Sequence, residues 1–85
     1  MNRSFSEDAW DEYTYWQREN KKILKKINQL IDDIERHPYC GIGKPEMLRH
    51  DLSGYCSRRI TDEHRLVYKV EHNTIFIIAC RYHYQ

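Results

Sequence analysis

The sequence predicts an α+β fold: two N-terminal helices packed on one face of a twisted, mainly antiparallel sheet of about five strands. Three observations carry this. Ile23, Leu24, Ile27, Leu30, Ile31 and Ile34 recur at helical spacing, with Lys21, Lys22, Lys25 and Lys26 on the other side. From residue 46 onward, four stretches of strand length follow one another, 46–51, 55–61, 64–71 and 74–81, joined by hairpin-sized turns. Within Arg65-Leu66-Val67-Tyr68-Lys69-Val70, Leu66, Tyr68 and Val70 alternate with polar or open positions, the pattern of a sheet covered on one side. With 85 residues, the chain makes one domain, 1–85, with a thin core.

The elements follow in order. Ser6 is a good N-cap, and Glu7 and Asp8 suit the positive end of a first helix. Ala9, Trp10, Tyr13 and Trp16 or Gln17 form its apolar stripe, so these aromatics read as core. Asn20 caps the second helix and Pro38 ends it. Residues 38–45, with two glycines and two prolines, form a loop. Its Gly41-Ile42-Gly43 is no nucleotide fingerprint, because such a loop needs a strand before it and a helix after it. The turns Asp51-Leu52-Ser53-Gly54, Thr61-Asp62-Glu63-His64 and Glu71-His72-Asn73 favour an antiparallel meander with both helices on one side.

Composition narrows the function classes. No run approaches the roughly 20 apolar residues of a membrane span, and Met1-Asn2-Arg3-Ser4-Phe5 has no secretory core, which predicts a cytoplasmic location without membrane contact. Cys40, Cys56 and Cys80 are odd in number and lack paired spacing, so they read as apolar filler, and no metal or other cofactor is expected. Residues 1–42 hold seven Lys/Arg against eight Asp/Glu, and residues 43–85 seven against five. The second excess is arginine-rich, in Arg49, Arg58, Arg59, Arg65 and Arg81, and arginine matches phosphate oxygens two at a time. An anionic partner on the C-terminal half follows. The lysines of the second helix read as a solvated face or as a further polyanion contact.

The chain also offers the groups for metal-independent RNA cleavage: a base for the 2′-hydroxyl, a cation for the phosphorane and an acid for the leaving 5′-oxygen. Glu46 fits the base, Arg65 the clamp with Arg59 and Lys44 or Arg49 assisting, His83 the acid, and Tyr84 a stacking or orienting role. Each has a plainer reading. Glu46 could be a surface carboxylate, Arg65 could pair with Glu63 or Asp62, and Tyr82 and Tyr84 could complete an apolar face beside a solvated His83. Alternation alone does not place Glu46.

Several stretches carry a resemblance. Trp10-Asp11-Glu12-Tyr13, Lys25-Lys26-Ile27-Asn28, Gly43-Lys44-Pro45-Glu46, Leu52-Ser53-Gly54, Ser57-Arg58-Arg59-Ile60-Thr61-Asp62-Glu63-His64-Arg65-Leu66-Val67-Tyr68 and the final Tyr82-His83-Tyr84 resemble the YoeB branch of the RelE/ParE toxin superfamily over residues 3–84. The resemblance implies a microbial-ribonuclease fold and a type II toxin that cleaves mRNA in the ribosomal A site. It makes Glu46, Arg65, His83 and Tyr84 the cleavage site, with Glu46 as base and His83 as acid, and Arg59 and Lys44 or Arg49 phosphate contacts. It also implies a YefM-type antitoxin, operator DNA bound only through that complex, and a homodimer. Two departures stand out: Gln85 follows Tyr84, and Arg49 occupies a position where lysine is expected. A noncatalytic ParE-like gyrase inhibitor, or a plain RNA-binding module on the same fold, would not need Glu46, His83 and Tyr84 together.

Overall fold

The computed structural model describes residues 1–82. Ser6 opens helix α1 (Glu7–Glu19), its Oγ accepting from the Ala9 amide at 3.1 Å. Asn20 ends that helix and starts α2 (Lys21–Arg36), its Oδ1 accepting from the Lys22 and Ile23 amides. One residue thus satisfies two amides that would otherwise lack partners. His37 caps the end of α2 immediately before Pro38.

The strands are β1 (Asn2–Phe5), β2 (Glu46–Met47), β3 (Cys56–Arg59), β4 (Arg65–Glu71) and β5 (Thr74–Ala79), in the sheet order β1-β5-β4-β3-β2. All neighbours are antiparallel except β1 and β5, which run parallel. The expected α+β fold is therefore present, with two differences in detail. Asn2–Phe5, to which the sequence assigns no element, form an edge strand. The stretch expected to be a strand over 46–51 stops at Met47 and turns through a 3₁₀ segment, His50–Leu52, because His50 adopts φ +58°.

Both helices cover one face. Ile27, Leu30, Ile31 and Ile34 of α2 and Ala9 and Trp16 of α1 pack with Cys56, Leu66, Tyr68, Ile75, Ile77 and Cys80, all buried. Each fully buried Ile or Leu contributes about 1.5–3 kcal/mol, so packing rather than helix propensity holds α2 in place. The α1 stripe is narrower than expected. Trp10 is 50% exposed, stacked on Tyr13 and edge-on to Phe5. Cys56 and Cys80 are buried filler, with burial pushing the Cys80 thiol up to about 12, whereas Cys40 is exposed. Among the described residues no helix is long and apolar enough to cross a membrane.

One irregularity re-aims the end of β5. Tyr68 pairs with Ile77 and Val67 with Ala79, leaving Ile78 as the extra residue of a bulge. Ala79 is thereby shifted to the face away from the helices, and Cys80 returns to the core.

Candidate active site

The register places Glu46, which alternation could not. Glu46 is opposite Ser57, Ser57 opposite Val67 and Val67 opposite Ala79, so these four residues form one row across four strands. Directly opposed residues share a face. Leu66 and Tyr68 face the helices, so the row lies on the opposite face, where Ser57, Val67 and Ala79 are buried and Glu46 is exposed. Arg59 and Arg65 are opposite each other, two residues from Ser57 and Val67, and share that face. Strand spacing sets the Glu46 and Arg65 Cα atoms roughly 12 Å apart, room for a ribose and its phosphate between the two side chains.

Arg65 is held by its own turn. Its Nη1 donates to the carbonyls of Thr61 at 2.6 Å, His64 at 3.1 Å and Asp62 at 3.2 Å. These are carbonyls, not the carboxylates of Asp62 or Glu63, and Arg65 forms no ion pair among the described residues. Its charge is therefore fixed in position without a carboxylate partner among the described residues. Arg59 makes a loose, exposed contact with Asp62 at 3.7 Å, and its Nε is buried with no partner among the described residues. Lys69, also on this face, lies over the rings of Tyr55 and Phe76.

Arg58 corrects the expectation of a phosphate contact. Its side chain is fully buried on the helix side, where Cys56 and Ile60 also point. Its guanidinium donates to Asp33 Oδ2 at 2.6 Å, the Tyr68 hydroxyl, and the carbonyls of His37, Cys40 and Ile42. Tyr68 in turn donates to the Pro38 carbonyl. Arg58 thus clamps the 37–42 loop onto α2 and β4, and the Arg59 amide fixes the next turn by donating to the Gly43 carbonyl at 2.6 Å. Arg58 beside Asp33, then the Ile42 amide, holds the Asp33 carboxyl below the usual carboxylate range. Lys44, exposed at φ +50°, and exposed Glu46 follow directly from this anchored loop. Arg49 is exposed past the end of β2.

Arg81 is turned toward α1. Its guanidinium stacks 3.7 Å over the Tyr15 ring and 4.6 Å from Tyr82, so the strand alternation does not carry through it. The backbone around it is tied from both sides. Glu12 Oε1 accepts from the Cys80 amide at 2.7 Å, and Trp16 Nε1 donates to the Cys80 carbonyl at 2.9 Å. Burial pushes the Glu12 carboxyl up, against the lowering effect of the Cys80 and Arg81 amides. Tyr82, the last described residue, accepts at its carbonyl from the Arg65 amide at 2.9 Å. The expected site residues His83 and Tyr84 lie outside the described residues.

Residues 5–84 match the family model of the YoeB-like toxin of bacterial type II toxin-antitoxin system. The chain belongs to this toxin family. It is 58% identical over 84 residues to toxin YoeB of Escherichia coli strain K12, covering 99% of this chain and all of that one. Among solved structures it is similar to the YoeB dimer from Staphylococcus aureus, with TM-score 0.93 and 52% identity over 99% of this chain and 98% of that one. The heterotetrameric YoeB-YefM toxin-antitoxin complex from the same organism gives TM-score 0.92, 52% identity and the same coverage.

As a YoeB-type toxin the chain carries, on the face away from the helices, the exposed Glu46 carboxylate, without a partner among the described residues, and two arginines at fixed spacing. That is one proton acceptor beside two cationic groups. Glu12, Trp16 and His64, which grip the C-terminal segment, were not legible as site residues. Trp16 shows only as part of a core stripe, and nothing in the sequence reveals that its indole nitrogen reaches across to Cys80.

Proposed function

We propose that this toxin is a ribosome-dependent endoribonuclease that cuts mRNA in the A site and thereby stops translation. Glu46 takes the 2′-hydroxyl proton, and the 2′-oxygen attacks the adjacent phosphorus. Arg65, assisted by Arg59, Lys44 and Arg49, meets the charge that builds on the phosphorane. His83 protonates the departing 5′-oxygen and Tyr84 orients the base beside it. The products are a 2′,3′-cyclic phosphate and a 5′-hydroxyl, and the scheme uses no metal or cofactor.

The observation that supports this reading most is the shared face: Glu46 and Arg65 lie on the side of the sheet away from the helices, and the chain leading to His83 is bonded to the Arg65 backbone. Arg81, stacked on Tyr15, is a weaker candidate for phosphate contact. A small open face does not by itself hold flexible mRNA for in-line attack, and the ribosome supplies that order. Acting there, the toxin works in the cytoplasm. Its partners are a YefM-type antitoxin, through which alone it reaches operator DNA, and a second copy of itself, by likeness to the Staphylococcus aureus assemblies.

Primer extension on messages in a purified translation system tests the proposal. Discrete cuts in the A site, lost with Glu46→Ala and His83→Ala and absent on free RNA, are expected. Arrest without cuts, or 5′-phosphate ends, would overturn it, and DNA damage instead of arrest would favour a gyrase-directed toxin.

A further inference from the structure

The described chain ends on a turn that is held open by two neighbouring residues of β4 and its preceding loop. Arg65 supplies its amide to the Tyr82 carbonyl, and the Tyr82 amide donates to His64 Nδ1 at 2.8 Å. Tyr82 has φ +65°, a left-handed conformation that a residue with a side chain keeps only when its surroundings enforce it. The His64 ring is itself wedged in place, edge-on to Trp16 at 4.8 Å and 71° and tilted against Tyr82 at 6.0 Å. Thr61 Oγ1 accepts from the His64 amide and fixes the backbone beneath it. A histidine this well oriented, with one ring nitrogen spent on a backbone amide, has no part in the cleavage scheme.

A ring nitrogen accepts only without its proton, so this contact requires neutral His64 carrying hydrogen on Nε2. Burial among the rings holds the imidazole below its ordinary value of 6.5, the Arg81 charge adds to that, and Glu63 opposes it. Of the elements around His64, α1 contributes uncharged Trp16, the turn contributes Glu63, β4 contributes Arg65, and the C-terminal segment contributes Arg81 and Tyr82.

We propose that His64 is a positioning residue: by accepting the Tyr82 amide at Nδ1 it fixes the backbone immediately before His83, the residue read as the acid, beside the strand that carries Arg65. This rests on the reading of His83 as general acid. Protonation would put a second donor against the Tyr82 amide, so the same contact makes placement of the acid fail as pH falls below the ordinary imidazole range. Such a displacement of about an ångström at the reacting centre costs up to about a hundredfold in rate.

His64→Asn and His64→Leu separate this from a simple packing role. The asparagine Oδ1 stands one bond from Cγ, as Nδ1 does, and accepts at any pH, whereas leucine fills space without accepting. In nitrogen-15 spectra of the wild type at pH 7.5, His64 is expected as the Nε2–H tautomer. The Tyr82 amide should be protected from hydrogen exchange in wild type and His64→Asn, and lose that protection in His64→Leu. In single-turnover cleavage on programmed ribosomes, His64→Leu should slow the rate about tenfold to a hundredfold with its half-saturating toxin concentration unchanged, and His64→Asn should restore it. Between pH 6.5 and 5.5 the wild-type rate should fall more steeply than that of His64→Asn. Equal rates for wild type and His64→Leu, or an Nδ1–H tautomer, would overturn the assignment. Should His64→Leu fail to fold, the two pH profiles decide alone, and parallel profiles would refute it. If wild type makes no cuts while the Tyr82 amide still depends on His64, the failure lies with the catalytic reading, and the role given to His64 falls with it.

Discussion

Arg58→Met keeps the length of a buried side chain while removing every hydrogen bond it donates. Five are lost, to Asp33, the Tyr68 hydroxyl and the carbonyls of His37, Cys40 and Ile42. At about 1 kcal/mol net per bond, the sum is about 5 kcal/mol. Breaking a buried ion pair from one side costs about 3–5 kcal/mol, so the two estimates overlap. Domains of 85 residues have roughly 4–13 kcal/mol of stability in all. The variant should therefore lose a third or more of its stability, and the 37–43 loop that leads into Lys44 and Glu46 should loosen first. Urea unfolding followed by tryptophan fluorescence is the measurement, with the midpoint expected to fall by at least about 2 M for a protein of this size. Asp33→Asn, which still offers an acceptor oxygen, should cost much less, and the double variant should cost less than the sum of the two. A midpoint for Arg58→Met within about 0.5 M of wild type would refute the idea that this arginine fastens the loop.

Gly43→Ala should destabilise by about 1–3 kcal/mol: φ is +80°, and a new Cβ would stand 2.7 Å from Leu30 Cδ2 and 3.2 Å from the Arg59 carbonyl. The drop should appear in the same urea titration. Asn20→Ala removes the acceptor for two amides and should cost about 1 kcal/mol, seen as a melting temperature about 4–8 °C lower. In acid, the Asp33 carboxyl matters. Its proton leaves more readily in the folded state, so its contribution is full above its ordinary 3.8 and is lost as pH falls through the lowered value. Melting temperature against pH should show that loss below about pH 4, and Asp33→Asn should flatten it.

Local chemistry was the legible part. Ser6 and Asn20 announce both helix starts because a cap acts on amides two or three residues away, and Ile27, Leu30, Ile31 and Ile34 announce a buried face by spacing alone. β1 was hidden because Asn2-Arg3-Ser4-Phe5 shows no alternation and its pairing with β5 is set by a distant segment. Arg58 misled because it adjoins Arg59 in a cationic run. It lies instead on the inward side with Cys56 and Ile60, where Asp33 and three carbonyls from distant segments make a buried guanidinium tolerable. Glu46 needed the cross-strand register, which no single segment contains. The extra residue at Ile78 likewise reverses alternation before Arg81, so a pattern read along β5 fails where the site begins.

The parallel pairing of β1 with β5 has a bearing on synthesis. Asn2 and Thr74, direct partners, are 72 residues apart, so β1 waits for β5 to emerge from the translating ribosome. Bringing such distant ends together costs on the order of 4 kcal/mol of chain entropy, and Ile75 and Ile77 arrive in the core at the same late moment. A nascent copy is thus kept from its finished shape until β5 has been made, a safeguard for a protein whose proposed target is the machine that makes it.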